Sequence, residues 1–156
     1  MNKGVNVKRT LTKLLIPTLV LIIGSAIFFV YLYNQNPNAP KHAATRDALI
    51  KFYDLYVKSV DHTEEFFPDH NPQLVINYRF WYGDIQSYRI LKIRDIDHPK
   101  QNSIFNVRVI GKTKEALVEV MVKGTSTPFI DTVRLELVED KWLIVGYTTT
   151  NLHKMP

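Results

Sequence analysis

The period of the hydrophobic pattern changes along the chain, and each change predicts a different element. Residues 14–33 (LLIPTLVLIIGSAIFFVYLY) are apolar on every face and carry no charge. About twenty such residues at ~1.5 Å rise cross a ~30 Å hydrocarbon core, so the stretch predicts a transmembrane helix. Pro17 falls one turn in, where it need not break the helix, and Tyr31 and Tyr33 suit the headgroup level at the far end. Gly24-Ser25-Ala26 has the small-residue form of a cleavage site. Apolar residues nevertheless run on past it to Tyr31, which favours an uncleaved anchor over a cleaved signal. A soluble core helix apolar on all sides would need a larger protein around it.

Residues 34–44 (NQNPNAPKHAA) hold two prolines, three asparagines and no large apolar residue, and read as a linker. From Thr45, a plausible N-cap, Leu49, Phe52, Tyr53, Tyr56, Val57 and Val60 recur at spacings of three and four, while Lys51, Asp54 and Lys58 fall opposite. That is an amphipathic helix in need of a covering partner. Asp61 followed by Glu64 has the form of a capping box, and Pro68 stops whatever helix it opens.

Beyond Asn71-Pro72 the pattern alternates. Leu74, Ile76, Tyr78 and Phe80 interleave with Val75, Asn77, Arg79 and Trp81, predicting a strand that ends near Gly83-Asp84. Further strands are expected over 88–96, with Leu91 and Ile93 on one side of a half-exposed strand, and over 103–110, with Phe105, Val107 and Val109 on one face. After a hairpin loop at 111–114 come strands over 116–122, 129–138 and 142–147, with a longer turn at 124–128 and a tight acidic turn at Glu139-Asp140-Lys141. Short connections impose antiparallel neighbours. The fold class is therefore α+β: an N-terminal transmembrane helix, then one or two helices packed on a curved antiparallel sheet of about five or six strands. The segments are a basic tail 1–13, a span 14–33, a linker 34–44, a domain 45–150 and a tail 151–156.

Charge adds orientation. Of 20 Lys and Arg against 15 Asp and Glu, four basic residues (Lys3, Lys8, Arg9, Lys13) stand ahead of the span with no acid among them. Removing those four leaves 16 against 15, a net of +1, so the chain's basic balance is a topology signal. It places the N-terminus in the cytoplasm and the domain outside a cell membrane crossed once. Lys92, Arg94, Arg108, Lys112 and Lys114 are interspersed with acids, and no nucleic-acid partner is expected. The chain has no cysteine, which removes thiol catalysis, disulfides and thiolate zinc sites.

Candidate chemistry is sparse. The acid and histidine cluster Asp61, His62, Glu64, Glu65, Asp69 and His70 lacks a metal-site spacing, and acids near a helix start are ordinary dipole compensation. No nucleophile-elbow, phosphate-loop or dinucleotide-binding motif is present. No catalytic, cofactor-binding or metal-binding residue is assigned, and no cofactor is expected. Tyr53, Tyr56, Tyr78, Trp81, Tyr82, Tyr88 and Phe105 are the candidates for an interaction surface or pocket, each with core packing as the plainer role.

The helical start, the long meander and the closing stretch FIDTVRLELVEDKWLIVGY together resemble the NTF2-like superfamily over about residues 45–150. With an N-in anchor, the layout also looks like VirB8-type assembly factors of conjugation and type IV secretion machines. The exported portion is short for that group. The resemblance implies a non-enzymatic scaffold that contacts itself, other envelope proteins and, through 14–33, the bilayer. Because some NTF2-like proteins are enzymes with an Asp base in a cone-shaped cavity, it also implies an alternative. In that case Tyr53, Asp54, Tyr56, Tyr78, Trp81 and Asp131 would line a small-molecule-binding or catalytic cavity.

Overall fold

The computed structural model describes residues 4–59, 63–68, 70–96 and 112–151. The chain divides into two units, Met1–Asn34 and Gln35–Pro156.

The first unit is one helix, α1 (Gly4–Gln35), 32 residues long with Pro17 inside it. It starts ten residues ahead of the apolar run, in a stretch with no proline where Lys8, Arg9, Leu11 and Lys13 are good helix formers. A window of 18 residues reaches a mean hydropathy of 2.2 with none of it buried. The helix is long and apolar enough to cross a membrane. Within the apolar run the Ser25 hydroxyl donates to the Leu21 carbonyl at 2.8 Å.

The second unit is α+β. A 3-10 turn (Pro40–His42) leads into α2 (Ala43–Lys58), a second 3-10 turn (Glu64–Phe66) and α3 (Gln73–Tyr82). Four strands follow: β1 (Ile85–Ile96), β2 (Thr113–Val122), β3 (Phe129–Val138) and β4 (Lys141–Asn151). Among the described residues these form one antiparallel meander in the order β1-β2-β3-β4. The inner face of the sheet, including Ile93, Val118, Val133 and Ile144, closes on Leu49, Phe52, Tyr53 and Tyr56 of α2 with Phe66, Phe67 and Val75. The outer face carries cross-strand ion pairs such as Arg94 Nε to Glu115 at 2.8 Å and Arg89 to Glu119 at 3.0 Å, ordinary solvated decoration.

Several expectations are corrected. Residues 74–81 are helix, not strand. Nearly every position there is apolar, so alternation does not discriminate, and Val75, Tyr78 and Tyr82 also satisfy the helical spacing. Asn71 opens the helix by accepting the Gln73 backbone N–H at 3.0 Å, and Gly83 ends it at φ 95°. The linker is shorter than 34–44, because Ala39 and His42 are buried and Pro40–His42 is a structured turn; Thr45 is a buried first-turn residue of α2, with its Oγ1 unpaired, and not the cap. In β1, a bulge at Leu91 puts Ile90 and Ile93 on the same side, so Ile93 is core while Leu91 faces out. Lastly, β2 begins at Thr113, which absorbs half of the expected loop at 111–114. The described sheet thus has four strands instead of five or six; the strand expected over 103–110, with Phe105, lies outside the described residues, as do Asp61 and His62. The predicted strand over 129–138 matches β3. The acidic turn is a two-residue hairpin connection with Glu139 and Asp140 at φ 47° and 65°.

Candidate functional site

The most unusual buried group is a carboxylate. The alternation of β3 sends Phe129, Asp131, Val133 and Leu135 inward, so an acid takes a core position. Asp131 is 1% exposed and pairs across the sheet with Val118 on β2 and Thr149 on β4. Three hydroxyls converge on it. Tyr53 on α2 donates to Oδ2 at 2.7 Å, and Tyr147 and Thr149, both on β4, donate to Oδ2 and Oδ1.

Burial pushes the Asp131 carboxyl above the ordinary aspartate value, against the pull of the three hydroxyls. Tyr53 and Tyr147 are raised well above ordinary tyrosine, chiefly by burial and further by the neighbouring acid and phenols. All three hydroxyls therefore act as donors, and the group is a satisfied polar core. Around it the aromatic rings interlock: Tyr53 stacks on Tyr88 at 5.0 Å between centroids, and Tyr56 stacks on Phe52 at 5.4 Å while its hydroxyl donates to the Val75 carbonyl at 3.0 Å.

The space left is small. A cavity of about 10 Å³, lined among others by Tyr78, Tyr82, Phe129, Asp131, Tyr147 and Thr149, has room for about one water. The Asp131 carboxyl, hydrogen-bonded by Tyr53, Tyr147 and Thr149, is part of that lining.

A second buried polar cluster lies at the start of the unit. The Lys114 ammonium on β2 donates to the Lys41 carbonyl at 2.7 Å, meets His42 Nδ1 at 2.8 Å and faces Asp95 at 3.6 Å, with the Trp142 ring 5.4 Å away. Burial lowers the Lys114 pKa, and Asp95 opposes that shift. Asp95 is pulled up by partial burial but ends below the ordinary value because of Lys41 and Lys114. The cluster fastens the first 3-10 turn to the sheet.

The structure separates the seven candidate residues. Tyr53 and Tyr56 are core; Tyr88 is partly buried, donating to Asp54 at 2.6 Å; Tyr78 and Tyr82 rim the small cavity, stacked at 6.1 Å. Trp81 points away, 76% exposed, and Phe105 is outside the described residues. Of the six residues that the resemblance would put in a cavity, Tyr56, Tyr78 and Asp131 line this one, while Tyr53, Asp54 and Trp81 do not, the last two being exposed. Sequence reasoning passed over Tyr147 and Thr149, whose signal is their place on the strand paired with β3, and Phe80, which is 81% exposed. It also left Lys114 in a loop. Among the described residues no group of three His, Cys, Asp or Glu is arranged to hold a metal ion.

Comparison with known proteins gives little. No family model matches the chain. No curated protein matches it. Among solved structures, Bd1075 of Bdellovibrio bacteriovorus is similar at 10% identity and a TM-score of 0.39, over 74% of this chain and 43% of that one. The chain thus spans less than half the length of that protein.

Proposed function

We propose that the chain is a non-enzymatic, single-pass membrane protein whose C-terminal unit stands outside the cytoplasm as an interaction scaffold. Its setting is an envelope complex such as a conjugation or secretion channel. The observation that carries the reading is the engagement of the buried acid. Asp131, an acid at an inward position of β3, is engaged by Tyr53, Tyr147 and Thr149, and the cavity beside it, of about 10 Å³, has room for about one water. What the unit offers is surface. Among the described residues β4 has no strand on its outer side, an edge suited to pairing with another chain. Helices followed by a meander support an NTF2-like plan, and α1 with its basic leader supports the anchor. A small-molecule-binding or catalytic unit would need Asp131 to face a ligand-sized space.

The test is cross-linking of the intact chain in its native membrane, followed by mass spectrometry. Links from β4 to a second copy or to other envelope proteins are expected. A chain that stays alone and co-purifies with a small molecule would replace the scaffold with the pocket.

A further inference from the structure

Helix α3 is apolar on two sides. Val75 and Tyr78 face the core, the half-exposed Tyr82 packs edge-to-face on Phe129 at 5.3 Å, and Arg79 ties the helix down by donating to the Tyr56 carbonyl at 2.9 Å and to Asp84 at 2.6 Å. The opposite side repeats at i and i+4: Ile76 is 39% exposed, Phe80 81% and Trp81 76%, the last two in edge-to-face contact at 5.6 Å. Gln73 and Asn77, hydrogen-bonded to each other at 2.8 Å, share that outward side; exposed large apolar side chains on a helix face are normally covered, yet among the described residues nothing covers Phe80 and Trp81.

Resting on the reading of α1 as a bilayer anchor, we propose that the outward face of α3, Ile76, Phe80 and Trp81, docks into the headgroup layer of that same bilayer. Three observations single out lipid. First, the tether is short: α1 ends at Gln35 and the first turn of the second unit begins at Pro40. The four residues between reach at most ~14 Å, and a domain of this size has a radius of gyration of ~13–14 Å. Its surface is held close to the bilayer, where even a low interfacial affinity is populated, whereas a second copy must be met by diffusion. Second, the residue types fit, since Trp and Phe on an exposed helix face favour the headgroup and acyl boundary. Third, the adjoining charge fits an anionic surface. The Lys123 backbone N–H donates to the Asp84 carbonyl at 2.8 Å, which puts the β2–β3 turn beside the end of α3. With Arg79 and Lys123 against Asp84, this corner carries one surplus cation, and the Lys123 side chain is 66% exposed.

The chain has two tryptophans, Trp81 and Trp142. The full-length Trp142→Phe variant, reconstituted into anionic vesicles, leaves Trp81 as the reporter. Docking predicts that acyl-brominated lipid quenches its emission at least twofold, and that Ile76→Ser with Phe80→Ser abolishes most of that quenching. Should Trp142→Phe disturb the fold by circular dichroism, Trp81→Phe against the parent chain reads the same difference. Equal emission in brominated and ordinary lipid, from protein that resists carbonate extraction, overturns the docking and leaves the anchor standing. Disulfide-linked dimers of a Trp81→Cys variant with no quenching of the parent would overturn it in favour of a second copy. Release of the chain by carbonate would remove the anchor and the docking together.

Discussion

Asp131 shows how one acid is kept in an apolar layer. Its carboxyl is raised by burial, so the folded state holds its proton more tightly than the unfolded chain does. The sign follows from linkage: the stability this group contributes is fully present below the ordinary value of 3.8 and is lost as pH rises through the higher folded value. An Asp131→Asn variant, which keeps an acceptor for the hydroxyls, lacks that slope. Denaturant titrations across pH should show the variant gaining on the parent from about pH 4 upward, then levelling; a constant difference would contradict the assignment. Lys114 is the counterpart on β2. Lys114→Met keeps the stem but leaves the Lys41 carbonyl and His42 without their donor. The expected cost is about 1–3 kcal/mol by denaturant unfolding. The acid itself was legible as an inward position of an alternating strand. Its partners were not, because they come from α2 and β4, and spacing along the chain does not report which hydroxyls meet across a core.

At the scale of elements, the legible parts are those whose pattern admits one period. Strand β3 alternates from Phe129 to Leu135 and stops at a two-residue turn, and α2 has polar residues opposite its apolar stripe. The stretch 74–81 has apolar residues on both phases, so the choice between strand and helix falls to its ends, Asn71-Pro72 and Gly83. This makes Gly83, at φ 95°, decisive. Gly83→Ala should lower stability by about 1 kcal/mol or more and reduce the helical signal in circular dichroism. The β3–β4 turn holds two non-glycine residues at positive φ, Glu139 and Asp140. Replacing them with Asn-Gly should raise stability by about 1 kcal/mol, read as a higher melting temperature. A bulge such as that at Leu91 leaves no mark in the sequence, which is why the inward side of β1 was misassigned.

For the whole molecule, two physical demands coexist in one chain. Helix α1 is long and apolar enough to cross a bilayer. The second unit packs its aromatic residues together around a buried acid, and the cavity beside that acid has room for about one water. The proposed account joins them as an anchor and an exported scaffold, and it stands or falls on the chain crossing the membrane with the second unit outside. Because the chain has no cysteine, single cysteines report topology directly. The measurement is labelling of intact cells with a membrane-impermeant maleimide, using Asn6→Cys in α1 and Thr148→Cys on β4. The account predicts that Thr148→Cys is labelled at once and Asn6→Cys only after permeabilisation. Labelling of Asn6→Cys alone, or of neither until the membrane is opened, would contradict it.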